Sequence, residues 1–538
     1  MAEQVGAPRV RSGGSAVVEQ LVREGVEVVF GIPGVQLMAI LDSLHHRAGE
    51  IRYVTTRHEQ ATAYMADGYA RVSGRPGTTL VVPGPGVYNA GAGLATAFAA
   101  SSPVLQISGQ INRDAIGRGH SLPHEVHDQL DVVRPITKHA ERVIDADRLP
   151  AAVRRALAAM TSGRPRPTHL EIPPETMEEP TSAPVIDPVA SEPLRPDPEL
   201  VDRAADLLAQ AEHPLLVVGG GAHGAAGELR ELQQHLQAAA ISTREGKGVL
   251  DGRHPAMIGT LFVHQRLASV IADADVVLAV GTRLQGVGLS DRHRLIHLDV
   301  DPNEIGRFTT PEITLVADAQ AGVADLQDAL RRISDPKPDR TAHWRAVRER
   351  VDAAHRAAGP QAAIVEALRD GLPDDAVVAV DATMVGYMCH MSFPVAHPRS
   401  YLTSSYMGTL GFAVNMALGA KLAAPDRPAV SISGDGGFLF GSNELATAVQ
   451  HEIAGIHIVV NDGGYGNTRL DQQLNLGGRL LGTELRNPDF VAYAESFGCA
   501  ATRVTTNDGL RGALADMLAA DQPAVIELAI DPLPTNAF

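Results

Sequence analysis

The sequence carries only two cysteines in 538 residues, Cys389 and Cys499, and neither has a Cys or His neighbour at metal-ligand spacing. That argues against a disulfide framework or a thiolate metal centre. Both thiols are expected as small buried apolar groups in a reducing cytoplasm. Positive charge is also short: 46 Lys and Arg stand against 63 Asp and Glu, a formal net charge of −17. Such a surface repels nucleic acid and acidic membranes, so neither is an expected partner. No apolar run is long enough to span a bilayer, and the opening MAEQVGAPRVRSGG lacks the apolar core of a signal peptide. An anionic small molecule remains admissible if a metal or a ring of backbone N–H groups offsets the acidity.

What the sequence does have is a globular balance, 44% hydrophobic and 20% charged. A chain of this length is expected to divide into about three domains of ~150–200 residues. Short runs such as VEVVFGIPG, GTTLVVPGPG, PLLVVGGG, DVVLAVGTR, AVSISGDGG and IHIVVNDGG alternate with Ala/Leu-rich helical stretches. Continuous rather than alternating apolar runs mark strands buried on both faces, so the fold class is α/β, with parallel sheets flanked by helices. Unpatterned stretches rich in Pro and charge at 173–198 and 334–340 separate the sets. They place domains at 10–180, 197–335 and 355–535.

Ligands of open α/β sheets bind beyond the carboxyl ends of the strands. Glycine-rich turns fill those ends here: FGIPG, PGPG, YMGTLG, GDGG and NDGG. Residues 431–469, SISGDGGFLFGSNELATAVQHEIAGIHIVVNDGGYGNTR, set Asp435 and Asp462 at two such ends. A helix N-terminus after glycines favours an anion, and an aspartate there opposes one unless a divalent cation bridges them. Two carboxylates and a backbone carbonyl suit Mg²⁺ beside a diphosphate. The simpler reading of GDGG and of the Asn-Asp pair is a turn or helix cap.

GDG followed some two dozen residues later by Asn-Asp resembles the cofactor motif of thiamine diphosphate enzymes. The Asp in the second position of the pair resembles the catabolic acetolactate synthases. The resemblance implies three domains, pyrimidine-binding, middle Rossmann-like and diphosphate-binding. It implies thiamine diphosphate with Mg²⁺ held by Asp435, Asp462 and the Gly464 carbonyl. Gly434, Gly436, Gly437, Tyr465 and Gly466 would line the diphosphate. The family also requires a glutamate that protonates the aminopyrimidine ring, a role suited to a carboxyl raised by desolvation. TTRHEQATAYMADGYARVSG supplies Glu59, which otherwise reads as a first-turn helix residue. SSYMGTLGFAVNMALGAK matches the segment under the bent cofactor, with Leu410 beneath the bend, Gly408 offering its carbonyl and Thr409 between them. In isolation Leu410 reads as a core leucine. Pro33 and Gly34 of FGIPG, and Pro83 and Asn89 of PGPGVYN, resemble cofactor-facing loops.

Catalysis by this resemblance joins a 2-oxo acid such as pyruvate to a second carbonyl, acetolactate synthase-like. The alternative is a decarboxylase or 2-hydroxyketone lyase on a bulkier substrate. GRGHSLPHEVHDQL resembles the histidine loop of the pyruvate decarboxylases and offers His124 as a site residue. His120, Glu125 and Gln129 there, with Asn467 and Arg469, are candidate substrate contacts. The decarboxylases carry a glutamate where Thr468 stands, which tilts the reading toward carboligation. LLVVGGGAHG lacks a full dinucleotide fingerprint. The middle domain is therefore read as structural, with FAD or another nucleotide as the alternative. The family also implies a homodimer or homotetramer, with Glu59 and the metal site of one active centre on different subunits.

Overall fold

Three six-stranded parallel sheets, each sandwiched by helices, are built from the apolar runs. They are seen in a computed structural model that describes residues 10–189 and 192–533. Every strand bond within these sheets is parallel. Central strands such as Val28–Gly31, Leu215–Val218 and Val377–Val380 are buried along their whole length, as continuous Val/Ile/Leu runs require.

The first sheet runs, in spatial order, Arg52–Thr55, Val28–Gly31, Gly77–Val81, Val104–Gly109, Thr168–Ile172 and His139–Arg142. The third runs Tyr401–Leu402, Val377–Val380, Ala429–Gly434, Gly455–Asn461, Ala524–Ala529 and Ala500–Val504. Counted from each sheet's own first strand, both have the order 2-1-3-4-6-5, so they share one topology. The middle sheet has the order 3-2-1-4-5-6 of dinucleotide-binding folds. In each outer sheet the chain reverses direction across the sheet between its first and third strands. A crevice opens there at the carboxyl ends. FGIPG and VPGPG exit at that point in the first sheet, and DAT and GDGG in the third.

Helix Glu59–Ser73 of the first domain crosses helix Phe412–Ala423 of the third, and glycines make the crossing close. A side chain at Gly68 would collide with the Met416 carbonyl, and one at Gly419 with that of Met65. Tyr64 and Phe412 fill the flank, their ring centroids 6.4 Å apart.

Four sheet strands lie outside the runs singled out in the sequence: His139–Arg142, Ala239–Thr243, Met257–Leu261 and Ala500–Val504. Three are edge strands, where one flank needs no apolar cover, and Ala239–Thr243 is alanine-rich, which reads as helix. The helix that follows the GDGG glycines begins at Asp435 itself, so Gly436 and Gly437 form its first turn. It then tightens through Ser442–Glu444 and resumes as Leu445–Gln450.

Candidate active site

Strands Ala429–Gly434 and Gly455–Asn461 are adjacent, with Gly434 opposite Val460, so Asp435 and Asp462 leave the sheet side by side. Asp435 is buried. Its Oδ1 accepts from the Gly436 N–H at 2.8 Å, and its Oδ2 from the Gly464 N–H at 3.0 Å and Asn487 Nδ2 at 2.6 Å. Asp462 is part-buried and pairs with Arg469 Nη2 at 2.7 Å. Burial raises its carboxyl above the ordinary aspartate range, Arg469 pulls it down, and the Asp435 charge pushes it up again. The Gly464 carbonyl accepts from the Gly466 N–H at 3.0 Å, which leaves one lone pair for another partner. Two neighbouring carboxylates thus share a site whose one adjacent ion-pair cation is the Arg469 side chain. That donor set fits Mg²⁺.

Gly436 and Gly437 keep the first helical turn bare. A Cβ at Gly436 would stand 2.5 Å from the Tyr465 ring, and one at Gly437 3.2 Å from Asp381 Oδ2. Gly434 faces the Thr383 methyl group. The Gly436 N–H is taken by Asp435 Oδ1, and the remainder of this turn, bared of side chains at the start of a helix, fits a diphosphate. Gly408 takes a left-handed φ of +65° with open space beside it, and Leu410 on the same turn is 38% exposed. Thr409 Oγ1 lies 3.1 Å from Thr96 Oγ1 of the first domain.

In the first domain, Glu59 opens helix Glu59–Ser73 at the end of strand Arg52–Thr55. Asn89 Nδ2 donates to Glu59 Oε2 at 3.0 Å, which joins two of the expected residues. Within the single chain Glu59 is only half-buried, short of the desolvated pocket expected for it. His124, at φ +69°, places Nδ1 3.1 Å from the Pro83 carbonyl, and its own backbone closes over Gly84. Pro33 is exposed, and Gly34 fits against Val82 only because it lacks a side chain.

The substrate candidates divide. Asn467 donates to the Ala382 carbonyl at 3.0 Å beside the Asp462 turn. His120 is exposed, and Glu125 accepts from the Leu122 N–H at 2.9 Å and the His120 N–H at 3.2 Å. Those N–H groups hold its carboxyl below the ordinary glutamate range. Gln129 departs from expectation. It is buried, accepts from the Gly84 N–H at 2.8 Å and donates to Ser108 Oγ and the Gly109 carbonyl, so its polar atoms are committed to the scaffold.

Two contributors were not anticipated. Asn487 bridges Asp435 to Asn461 Oδ1 at 3.0 Å, but no local motif marks it. Glu444, buried in the SNELATA stretch, accepts from the backbone N–H groups of Arg57 and His58, both at 2.9 Å. A carboxylate directly below GDGG on the same helical run was the available signal.

In the middle domain, the GGGAHG turn and the Gly281 turn press on each other, with a Cβ at Gly221 falling 2.9 Å from Gly281 Cα. His223 Nε2 lies 2.8 Å from the Glu245 carbonyl. Arg164 of the first domain reaches Glu304 at 2.5 Å and Asp301 at 3.7 Å, engaging the acids of LDVDPNEIG.

Fold and site together define an α/β protein with two like sheets, the third-domain one presenting glycine-bared, acidic turns suited to a metal-held diphosphate. Residues 11–132, 201–326 and 381–528 match the N-terminal TPP binding, central and C-terminal TPP binding domains of thiamine pyrophosphate enzymes. A probable 2-ketoarginine decarboxylase of Pseudomonas aeruginosa is 36% identical over 514 residues, 93% of this chain and 90% of that protein. A probable acetolactate synthase large subunit of Methanocaldococcus jannaschii is 32% identical, covering 97% of this chain and 92% of that protein. The acetolactate synthase large subunit of Parasynechococcus marenigrum is 33% identical, covering 97% and 88%. The chain belongs to the thiamine pyrophosphate enzyme family, as an acetolactate synthase-like, thiamine diphosphate-dependent enzyme. Among the described residues no helix is long and apolar enough to cross a membrane.

Proposed function

We propose that this enzyme is a thiamine diphosphate- and Mg²⁺-dependent carboligase acting on a 2-oxo acid such as pyruvate. Thiamine diphosphate, when bound, would supply a carbon nucleophile and an electron sink for decarboxylation of a 2-oxo acid. Asp435, Asp462 and the Gly464 carbonyl would hold Mg²⁺, and the bare first turn at Gly436 and Gly437 would receive the diphosphate. Leu410 would pack beneath the cofactor and Glu59 would hold a proton at its aminopyrimidine ring. His124 stands at the turn of Pro83 and Gly84, where its ring could donate or accept a proton. Arg469 and Asn467 face the substrate carboxylate. The middle domain is structural, because its GGGAHG turn is packed against the Gly281 backbone and its Asp301 and Glu304 are engaged by Arg164.

The observation that carries carboligation over simple decarboxylation is Thr468, exposed on helix Gly466–Asn475, where a proton-donating carboxyl would stand for aldehyde release. A second reading, decarboxylation of a bulkier 2-oxo acid, rests on the similarity to the probable 2-ketoarginine decarboxylase.

The active unit is a homodimer with its sites between subunits. Glu59 is half-exposed, and Leu410, Tyr88 and Phe440 are 38%, 54% and 51% exposed, a surface that a second copy would cover. Turnover is tested with purified enzyme, thiamine diphosphate, Mg²⁺ and a panel of 2-oxo acids, with CO₂ and products followed together. Acetolactate from pyruvate supports carboligation. Aldehyde alone from a bulkier acid supports the second reading, and no cofactor-dependent turnover of any acid contradicts both.

A further inference from the structure

The middle and third domains meet around a cavity of about 30 Å³. Its wall carries three cationic or potentially cationic side chains, Lys247, Arg348 and His355, and Asp352 is the one carboxylate on it among the described residues. Asp352 is engaged, since Arg348 Nε donates to its Oδ2 at 3.2 Å. Lys247 is buried, and its Nζ donates to Thr260 Oγ1 and to the His390 carbonyl, each at 3.1 Å. An ammonium has three N–H groups, so one is left for the cavity. His355 is 6% exposed, and its Nδ1 has no hydrogen-bond partner, with Asp352 Oδ1 out of reach at 4.0 Å.

A buried ring nitrogen without a partner is costly in a low dielectric, and so is a buried ammonium beside a guanidinium. Burial, with Arg348 adding to it, pushes Lys247 down to about 7, and burial with Arg266, Lys247 and Arg348 pushes His355 to about 4. One anion in the cavity would accept from the His355 ring and favour the charged form of Lys247. The volume holds little more than a pair of water-sized bodies, which excludes large or multivalent anions. We propose that this cavity binds one small monovalent anion, held by Lys247 Nζ, Arg348 and His355 Nδ1.

Its place gives it a structural consequence. Gly248 and Gly252 of the middle domain lie hard against the backbone of His397 and Val395. Helix Met384–Ser392 begins at Thr383, beside Gly434, and ends in the cavity wall at Met391 and Ser392. The anion thus ties the middle domain to helix Thr341–Arg356, in a cavity whose wall includes the end of helix Met384–Ser392.

The test uses the full-length, cofactor-loaded enzyme. Thermal unfolding is followed against sodium chloride and against sodium gluconate at equal ionic strength, and crystals are soaked in bromide for anomalous diffraction. The expected result is a rise of a few degrees that saturates in chloride, is absent in gluconate, and has its bromide peak in contact with Lys247 Nζ and His355. His355→Gln and Lys247→Met should each raise the half-saturating chloride concentration about ten-fold, the effect of one lost buried contact. Coincident chloride and gluconate curves, or no bromide peak in the cavity, overturn the proposal. So does a chloride effect undiminished in both variants. If a variant does not fold, the bromide peak in the unaltered enzyme decides.

Discussion

Glu444 and His58 join the first and third domains of one chain through a hydrogen bond of 2.9 Å, from the amide N–H that precedes Glu59 to Glu444 Oε1. Glu444 also accepts from the Arg57 N–H and from Thr447 Oγ1. A carboxyl on the helical run that starts at Asp435 therefore sets the turn from which Glu59 projects. Glu444→Gln removes the charge and, with its oxygen kept on the Arg57 and His58 N–H groups, turns an NH₂ toward the Thr447 hydroxyl, which should lower turnover about ten- to a hundred-fold by misplacing Glu59.

The same residue makes a pH prediction. Burial lifts the Glu444 carboxyl from 4.5 to about 7. The folded protein therefore keeps a proton that the unfolded chain has already released above 4.5. The group's contribution to stability is fullest below about 4.5 and is lost as pH rises through 7. Glutamine cannot titrate. The excess in melting temperature of the unaltered enzyme over Glu444→Gln should be largest near pH 4.5 and shrink by pH 7.5. A difference that stays flat across that range would contradict the buried, proton-holding carboxyl.

Asp435 accepts hydrogen bonds at both oxygens, so Asp435→Asn turns an NH₂ toward a donor whichever way the amide sits. Removing the charge as well should weaken Mg²⁺ binding at least about 100-fold. Titration of cofactor binding against Mg²⁺, by calorimetry or fluorescence quenching, measures it. Stripping the metal with chelator should release thiamine diphosphate from the unaltered enzyme.

Arg469 is the cation beside the Asp462 carboxylate, both side chains being nearly buried at 12% and 13% exposure. Arg469→Met leaves two carboxylates facing each other, so the metal-free protein should lose about 2 kcal/mol of stability. Mg²⁺ should restore that loss, and the apparent Mg²⁺ affinity should rise because no side chain competes. If Arg469 also receives the substrate carboxylate, KM rises while cofactor affinity does not fall.

Phe440 stands half-exposed against the Gly411 turn that carries Leu410. Phe440→Asp should shift the enzyme toward monomer in sedimentation velocity at micromolar concentration and abolish turnover. A variant that stays fully dimeric would place the subunit contact elsewhere.

The architecture was legible because parallel sheets write themselves as continuous apolar runs. Strands Ala429–Gly434 and Gly455–Asn461 announce themselves, whereas His139–Arg142 and Ala500–Val504, on sheet edges, do not. At the proposed site, Asp435, Asp462 and Glu59 stand out in the sequence because each sits at a strand end among glycines or opens a helix. Gln129 stands out only as a polar residue in a histidine-rich loop, and its hydrogen bonds to Gly84 and Ser108 appear only in the fold. Asn487 left no trace because its partner Asp435 lies 52 positions away. Such long-range polar pairing has no local pattern. The shared 2-1-3-4-6-5 order of the outer sheets, which opens a like crevice in each, is likewise a property of strand pairing.

The central claim is that Glu59 of one subunit serves the Asp435 and Asp462 site of its partner. It is tested by co-expressing Glu59→Gln and Asp435→Asn chains with different affinity tags and purifying the hybrid that carries both. Each homodimer is expected to be inactive, while in the hybrid one site collects both substitutions and the other none. About half of the unaltered turnover per dimer should return in the hybrid, if each site contributes its full share of the barrier lowering. A purified hybrid with no more activity than its parents would show that the two residues act within one chain, or not together.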